Sequence, residues 1–456
     1  MLGIPIELIY LLALLSTIVI AFILFKRPIY EAMLIGYLVM IIVLKRYDKF
    51  MEYLIKPSTN TLFYAIVAFL SLAFIFEQTD VVKDIINFIL SLVGRFRGGA
   101  GYVSLLTSTF MAALSGTGPG NVAATGVFTI PAMIHTNFPR ALAATVEMSA
   151  SSLGPMIPPS GTILLAFGIL DTMFPEKYTL AQFWMAVWGV GIWFILQRII
   201  TLYILCLKYK VSPVPKDEIP KVSEAFKEGW KALLVPVIIF LPLYLDFKFG
   251  STFFQERLGE EGASAFSSSV ILFTPGVAAI YSLIISKDKI QKQLNIKDIF
   301  NMFKKAIVQI TPVAATVYFA YSISYLFGDA EIGATLGEYV QSFNMSKLQL
   351  VIFFPVFTTF LGMILPGSSQ IAIFGTGILG ALVAVGANPL LVAAMLPAIT
   401  GALEGMTPPL ALAMYAAMGI AESDIGETSK LAVIWVLSHL VVAILILAEF
   451  LPVLFI

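Results

Sequence analysis

The sequence predicts an all-α polytopic membrane protein, built as an inverted repeat with two re-entrant helical hairpins and two discontinuous helices. Three observations predict it. Apolar residues make up 59% of the 456-residue chain and charged residues 12%, against about 25% charged in a typical soluble domain. Apolar stretches near the ~20 residues that span a hydrocarbon core recur along the chain. Proline-glycine breaks interrupt four of these stretches, in the same order in each half.

Unbroken spans are predicted at 6–25, 28–44, 57–77, 180–207, 230–247, 267–286, 307–327 and 429–454. Four further stretches carry the breaks. Stretches 101–134 and 347–387 have a polar, glycine-rich centre between two short apolar arms, as in a re-entrant hairpin. Stretches 141–170 and 389–420 hold a Pro-Pro pair near the middle, as in a discontinuous helix. Segments 80–94 and 329–346, with mixed charge and helical periodicity, read as amphipathic arms along the membrane surface. The first repeat is thus 1–207, a cytoplasmic linker follows at 208–229, and the second repeat is 230–456. With hairpins crossing zero times, an odd number of crossings per half inverts the second half.

The breaks keep register. From Ser115 to Pro158 is 43 positions, and from Pro366 to Pro408 is 42. Ala166-Phe-Gly-Ile169 follows the first Pro-Pro as Ala417-Met-Gly-Ile420 follows the second. A helix interrupted in lipid leaves backbone N–H and C=O groups unpaired, so such breaks survive only where protein or a water-filled cavity covers them. Paired breaks at matching places in two halves point to a transporter's binding site.

Charge sets the orientation. With the N-terminus outside, 19 Lys/Arg fall inside and 8 outside, while Arg198 lies within a helix. The excess inside agrees with the positive-inside rule. Lys45, Arg46, Lys49 and Lys56 disagree, so the first two helices are the weakest part of the scheme. A formal net charge of zero argues against nucleic acid as a partner. The single cysteine, Cys206, has no intrachain disulfide partner, and no Cys/His metal spacing occurs. No basic region precedes the first apolar run and no small-residue cleavage site follows, so 6–25 reads as a retained helix.

Ser115, Thr117 and Asn121 gather at the first hairpin tip; Ser368, Ser369 and Gln370 gather at the second. Glycine allows close backbone approach and proline stops the helix. Freed carbonyls and hydroxyls are hard oxygen ligands suited to an alkali cation, and helix N-termini at the same point favour an anionic group.

The segment S-G-T-G-P-G-N-V-A-A-T-G-V-F-T-I-P-A-M (Ser115 to Met133) resembles the first hairpin of the large membrane subunit of TRAP transporters, the tripartite ATP-independent periplasmic class. A-T-V-E-M-S-A-S-S-L-G-P-M-I-P-P-S (Ala144 to Ser160) resembles the broken helix after it. L-G-M-I-L-P (Leu361 to Pro366) and T-P-P-L-A-L-A-M-Y-A-A-M-G-I-A (Thr407 to Ala421) resemble the second hairpin and broken helix. Val146-Glu147 and A-L-A-M-Y-A-A are closest to the subgroup served by TAXI-type binding proteins, while Ile157-Pro-Pro-Ser160 is closer to the dicarboxylate type.

The resemblance implies an elevator-type carrier of the ion-transporter superfamily, in the inner (cytoplasmic) membrane, importing an organic anion with sodium. An extracytoplasmic binding protein would deliver the substrate, and a small four-helix membrane subunit on a separate chain would brace the large one. Carried over by motif, one sodium site would use Ser115, Gly116, Asn121, Gly154, Ile157 and Pro159. A second would use Gly362, Glu404, Gly405, Thr407 and Leu410. Thr117, Pro158, Ser160, Ser368, Ser369 and Pro408 would face the substrate. Glu404 departs from the family pattern, where a small residue is usual, and so leaves open a proton in place of the second sodium.

Acids at membrane depth are functional candidates, because burying their charge is costly. Glu147 and Glu404 qualify, the competing reading being a structural carboxyl bonded to a neighbouring helix end. Arg198 is expected to snorkel toward an interface. His135 and His439 lack a third ligand in register for a metal. Asp171 and Glu176 read as loop charges, and the 36 phenylalanines as lipid-facing or interhelical. The lysine-rich stretches 208–231 and 287–305 read as solvated inner loops, with headgroup contact as the lesser role.

A membrane-embedded enzyme would need a motif such as H-E-x-x-H or a Ser–His pairing, and neither stands out. A channel would need a continuous polar pore, which two dead-end hairpins do not suit. The nearest rival is a stand-alone sodium- or proton-coupled carboxylate carrier that needs no binding protein.

Overall fold

The computed structural model describes residues 6–115, 118–158, 160–175, 177–287, 296–330, 332, 345–363, 365–408 and 411–456. Among the described residues every regular element is a helix. The first half runs through α1 (Ile6–Val19, prolonged by a π-turn to Leu24), α2 (Ile29–Val43), α3 (Thr61–Glu77) and α4 (Val81–Val93). It continues with α5 (Gly99–Ser115), α6 (Val127–His135), α7 (Arg140–Ser151), α8 (Gly161–Met173) and α9 (Leu180–Lys208). The second half has α10 (Val222–Phe249), α11 (Gln255–Ile285), α12 (Ile296–Asp329), α13 (Lys347–Gly362) and α14 (Gly367–Ala384). It closes with α15 (Pro389–Ile399), α16 (Leu412–Ala421) and α17 (Ile425–Leu447).

Local chemistry places the helix starts. Thr179 and Ser346 form capping boxes with Gln182 and Gln349 at the heads of α9 and α13, each satisfying otherwise unpaired N–H groups. The Asn388 side chain accepts from Leu390 N–H, with Pro389 in the first helical position, where its missing donor costs nothing. The Asp424 side chain accepts from Gly426 and Glu427 N–H and starts α17.

Among the described residues seven helices are long and apolar enough to cross a membrane, or up to eight if one bent pair counts as a span. The first broken helix is the most enclosed: 88% of its apolar window is buried, against 28% for α10 and for α11. The broken helices therefore form the centre, and α10 and α11 the rim. Large apolar side chains such as Phe273, Ile280 and Ile284 point outward from that rim, an arrangement that lipid stabilises and water does not. The chain is a multi-pass membrane protein. Helix α2 is shorter than its predicted span, because Pro28 delays its start and it ends at Val43. Its 15 residues reach roughly 22 Å at ~1.5 Å per residue.

The interrupted stretches fold back on themselves. Ser104 and Thr129 reach the same Glu147 oxygen, and Ser108 and Thr125 reach the other, so α5 runs antiparallel to the arm that returns through α6. In the second half Phe357 of α13 meets Phe374 of α14 edge to face, with ring centroids 5.5 Å apart.

The connecting segments make more contacts than their polarity suggests. The linker is not simply solvated: Val211 and Val214 are buried, and its backbone is sewn to the end of α4 and to the residue just after α6. Ser212 N–H donates to Thr136 C=O at 3.0 Å and Val214 N–H to Gly94 C=O at 3.1 Å, while α10 already starts at Val222. Among the described residues three of the four cations at 45–56 have partners. Arg46 pairs with Asp329 at 3.2 Å, Lys49 with Glu52 at 2.7 Å, and Lys56 lies 4.6 Å from the Tyr325 ring centre. The arm at 80–94 is a helix whose apolar stripe packs on protein, with Phe88 against Phe226 of α10. The arm at 329–346 lies mostly outside the described residues.

Candidate functional site

The two broken helices lie antiparallel and their breaks meet. Arg140 at the start of α7 donates to Ala421 C=O at the end of α16 (2.8 Å) and pairs with Glu422 at 2.8 Å. Helix α7 packs along α16, and α8 along α15. At the crossing Gly401 faces Pro155: a methyl group added to Gly401 would stand 2.8 Å from the proline Cβ. Gly367, which opens α14, lies so close to Gly401 and Thr400 that any side chain would collide with backbone.

The first break begins where α7 stops at Ser151. A 3₁₀ turn, Gly154–Met156, follows, and Ile157 is extended. The Ser160 hydroxyl donates to Pro155 C=O at 3.2 Å and accepts from Thr162 N–H at 3.3 Å, restarting the helix as α8. The turn packs against α5 and against Gly118–Asn121 of the hairpin tip. The second break begins at Thr400, whose φ/ψ of −115°/−79° ends α15. A short turn, Gly401–Glu404, follows. Ala411 then stands in the left-handed region (φ +30°) at the head of α16, a conformation that costs a residue with a side chain and persists only under tight packing.

Around the first break the polar groups form one connected network. The Glu147 carboxylate is fully buried and accepts from five hydroxyls: Ser104 (2.6 Å), Ser108 (2.7 Å), Thr125 (2.6 Å), Thr129 (2.6 Å) and Ser151 (3.2 Å). Asn121, also fully buried, donates its amide N–H to Ser151 Oγ at 2.7 Å, while its Oδ1 has no partner. At the second hairpin Gln370 donates to Leu365 C=O at 3.0 Å, and its Oε1 and the Ser369 hydroxyl have no partner. Glu404, half-buried, accepts from Gly367 N–H through Oε2. The carboxylate thereby serves the positive end of α14.

Arg198 overturns the snorkelling expectation. It is 1% exposed, because partners enclose it from three helices. Its Nε donates to Ser149 C=O at 3.1 Å and its Nη2 to Ser152 Oγ at 3.0 Å, both at the end of α7. Its Nη1 donates to Gln197 Oε1 at 2.5 Å and to His439 Nδ1 at 3.1 Å. His439 must then carry its proton on Nε2, which donates to Ala398 C=O at 2.8 Å, at the end of α15. One cation and one imidazole thus serve carbonyls near the C-termini of both central half-helices, where positive charge is favourable. His135 pairs with Glu218 of the linker at 3.0 Å. Asp171 is an exposed residue of α8 rather than of a loop, and Cys206 is buried.

The residues proposed for the second ion are brought together: a methyl group on Gly362 would stand 3.2 Å from Glu404 Cα and 3.3 Å from Thr407 Oγ1, and Met414 N–H donates to Gly405 C=O at 3.2 Å. Of the first set, Asn121, Gly154 and Ile157 lie at or beside the break. Ser115 ends α5, while Gly116, Thr117, Pro159 and Leu410 lie outside the described residues. Pro158 is buried, Ser368 and Pro408 are half-buried, and Ser160 is used as a helix cap. The hydroxyl cage, Arg198 and Gln197 were missed as a network. Its only trace in sequence is i,i+4 spacing: Ser104/Ser108, Thr125/Thr129 and Glu147/Ser151. Among the described residues no cluster of three or more His, Cys, Asp or Glu is assembled.

An all-helical membrane fold, organised around two buried helix breaks that meet at its centre, defines a polytopic permease-type protein. The family model for the tripartite ATP-independent periplasmic transporter, DctM component, matches residues 10–452. The chain belongs to this family, as a large membrane subunit. It is 23% identical over 386 residues to the C4-dicarboxylate TRAP transporter large permease protein of Rhodobacter capsulatus, covering 82% of this chain and 81% of that one. The sialic acid TRAP transporter large permease protein of Vibrio cholerae is 21% identical over 357 residues, covering 78% and 77%. In fold the chain is similar to the Alcanivorax borkumensis YdaH transporter, with a TM-score of 0.59 at 18% identity, covering 87% of each chain.

Proposed function

We propose that this chain is the translocating subunit of a sodium-coupled importer of a small organic anion, a carboxylate, working in the inner membrane. The observation that carries the reading is the set of buried, unpartnered side-chain oxygens at the two breaks: Asn121 Oδ1 in the first half, Ser369 Oγ and Gln370 Oε1 in the second. A buried acceptor without a donor is costly, and a bound cation is one way that cost is met. Amide and hydroxyl oxygens are the ligands a hard cation takes. The fit is therefore good for sodium at Asn121, with Gly154 and Ile157 beside it. At the second break Gly362, Glu404, Gly405 and Thr407 would hold an ion or, through Glu404, a proton. The anion would lie between the breaks, near Pro158, Ser369 and Pro408.

The relatives support the substrate class: the named ones carry C4-dicarboxylates or sialic acid. On this reading the hairpins and broken helices travel together as an elevator, since Glu147, Arg198 and His439 tie them into one packed unit. A small membrane subunit and an extracytoplasmic binding protein complete the tripartite system, and lipid covers the rim. The test is uptake of C4-dicarboxylates and sialic acid into vesicles, with and without a sodium gradient, adding the cognate binding protein. Uptake that needs both sodium and the binding protein is the expected result. Uptake by the lone chain, without binding protein, overturns the tripartite reading in favour of a stand-alone carrier.

A further inference from the structure

We propose that Glu147 is a positioning residue for the cation site: its carboxylate sets the orientation of the Asn121 amide through Ser151. The inference rests on the cation reading of the first break and adds a residue that touches no ion.

Proton direction fixes the amide. A carboxylate accepts hydrogen bonds and donates none. Ser151 has one hydroxyl proton, and the acceptor within its reach is Glu147 Oε1 at 3.2 Å. With that proton committed, Ser151 Oγ can only accept from Asn121, and the amide N–H₂ duly faces it at 2.7 Å. An amide held by its nitrogen turns its oxygen the other way. That oxygen, Oδ1, is buried and unpartnered. The orientation of Asn121 is thus the last step of a relay that starts at a carboxylate one helical turn before Ser151. The other four hydroxyls hold Glu147 still: Ser104 and Ser108 come from one hairpin arm, Thr125 and Thr129 from the other.

The relay also matters for charge. Asn121 and backbone carbonyls are neutral ligands and leave a bound cation uncompensated at membrane depth. Glu147 is a full negative charge two hydrogen bonds away, in surroundings where screening is weak. In Glu147→Gln that charge is lost, and an amide N–H₂ can face Ser151. Ser151 is then free to donate to Asn121 Oδ1, turning the amide and consuming the oxygen.

The test titrates the full chain in detergent with sodium chloride at constant ionic strength, reading the melting temperature, which rises when a ligand binds the folded state. The wild type is expected to show saturable stabilisation by sodium. Glu147→Gln is expected to raise the half-saturating concentration about tenfold or more, the scale of a lost hydrogen bond to a charged group. Ser151→Ala, which keeps the carboxylate, is expected to raise it in the same direction. Tyr37→Phe removes a buried hydrogen bond, from the Tyr37 hydroxyl to Phe50 C=O, that lies outside the cage and the break. It is expected to lower the melting temperature while leaving half-saturation in place, which separates positioning from general stability. If Glu147→Gln fails to fold, Ser151→Ala decides. Half-saturation at the wild-type value in Ser151→Ala overturns the proposal. A wild type that does not respond to sodium overturns the cation reading instead.

Discussion

At the first break the acid stands back. Glu147 sits within α7, buried among five hydroxyls, and meets the break at second hand, through Ser151 and Asn121. At the second break the acid stands at the front: Glu404 ends the turn itself and accepts directly from the backbone N–H that opens α14. The two halves share helix order and break spacing, yet one presents a neutral oxygen with charge behind it and the other presents the charge. The difference shows that matched backbone breaks in two halves do not require matched charges. Breaks need glycine and proline at set places, whereas a carboxylate can act at one or two hydrogen bonds' remove.

Substitutions at five positions test this contrast. The largest effect is expected at Arg198, which serves both halves at once. Arg198→Met removes donors from Ser149 C=O, Ser152 and His439 and is expected to cost about 3 kcal/mol or more, read as a fall in melting temperature. Arg198→Lys should restore only part, because an ammonium lacks the planar fork. A stable, active Arg198→Met would show that the breaks are held independently.

Next comes packing. Gly367→Ala drives a side chain into the Gly401 backbone and is expected to cost about 1–3 kcal/mol and most of the uptake. Gly118→Ala, whose new methyl would stand 3.0 Å from Ala413 Cβ, meets a side chain and should cost less. The reverse order would place the tighter break in the first half.

Glu404→Gln should hold stability within about 1 kcal/mol, because an amide oxygen still accepts from Gly367. Sodium and pH dependence of uptake are where it should differ from the wild type, and unchanged profiles would remove Glu404 from the mechanism. The smallest effect is expected for Arg46→Ala. Its pair with Asp329 is partly exposed, with 42% and 32% of the two side chains accessible, so the loss should stay within about 1 kcal/mol with transport intact.

Much of the fold was legible in the sequence because membrane helices declare themselves by length and hydropathy, and breaks by proline and glycine. Stretches 101–134, 141–170, 347–387 and 389–420 all contain breaks in the folded chain. Arg198 was misread for a specific reason. Its partners lie 46 and 49 positions before it and 241 after it, so no local pattern shows that its charge is satisfied where it stands. The linker was misread similarly: its backbone partners, Gly94 and Thr136, cap α4 and α6, more than 70 positions before it.

By itself the sequence determined that this chain is a helical membrane protein with two matched pairs of breaks, because those properties depend on the composition and spacing of neighbouring residues. Only the tertiary structure decided which polar groups meet at the breaks: that Glu147 bonds Ser151 and Ser151 bonds Asn121, that Glu404 caps α14, and that Arg198 and His439 join the two half-helix ends. These are contacts between segments far apart in the chain. Their distances and donor directions exist only once the antiparallel crossing of the two broken helices has brought them together.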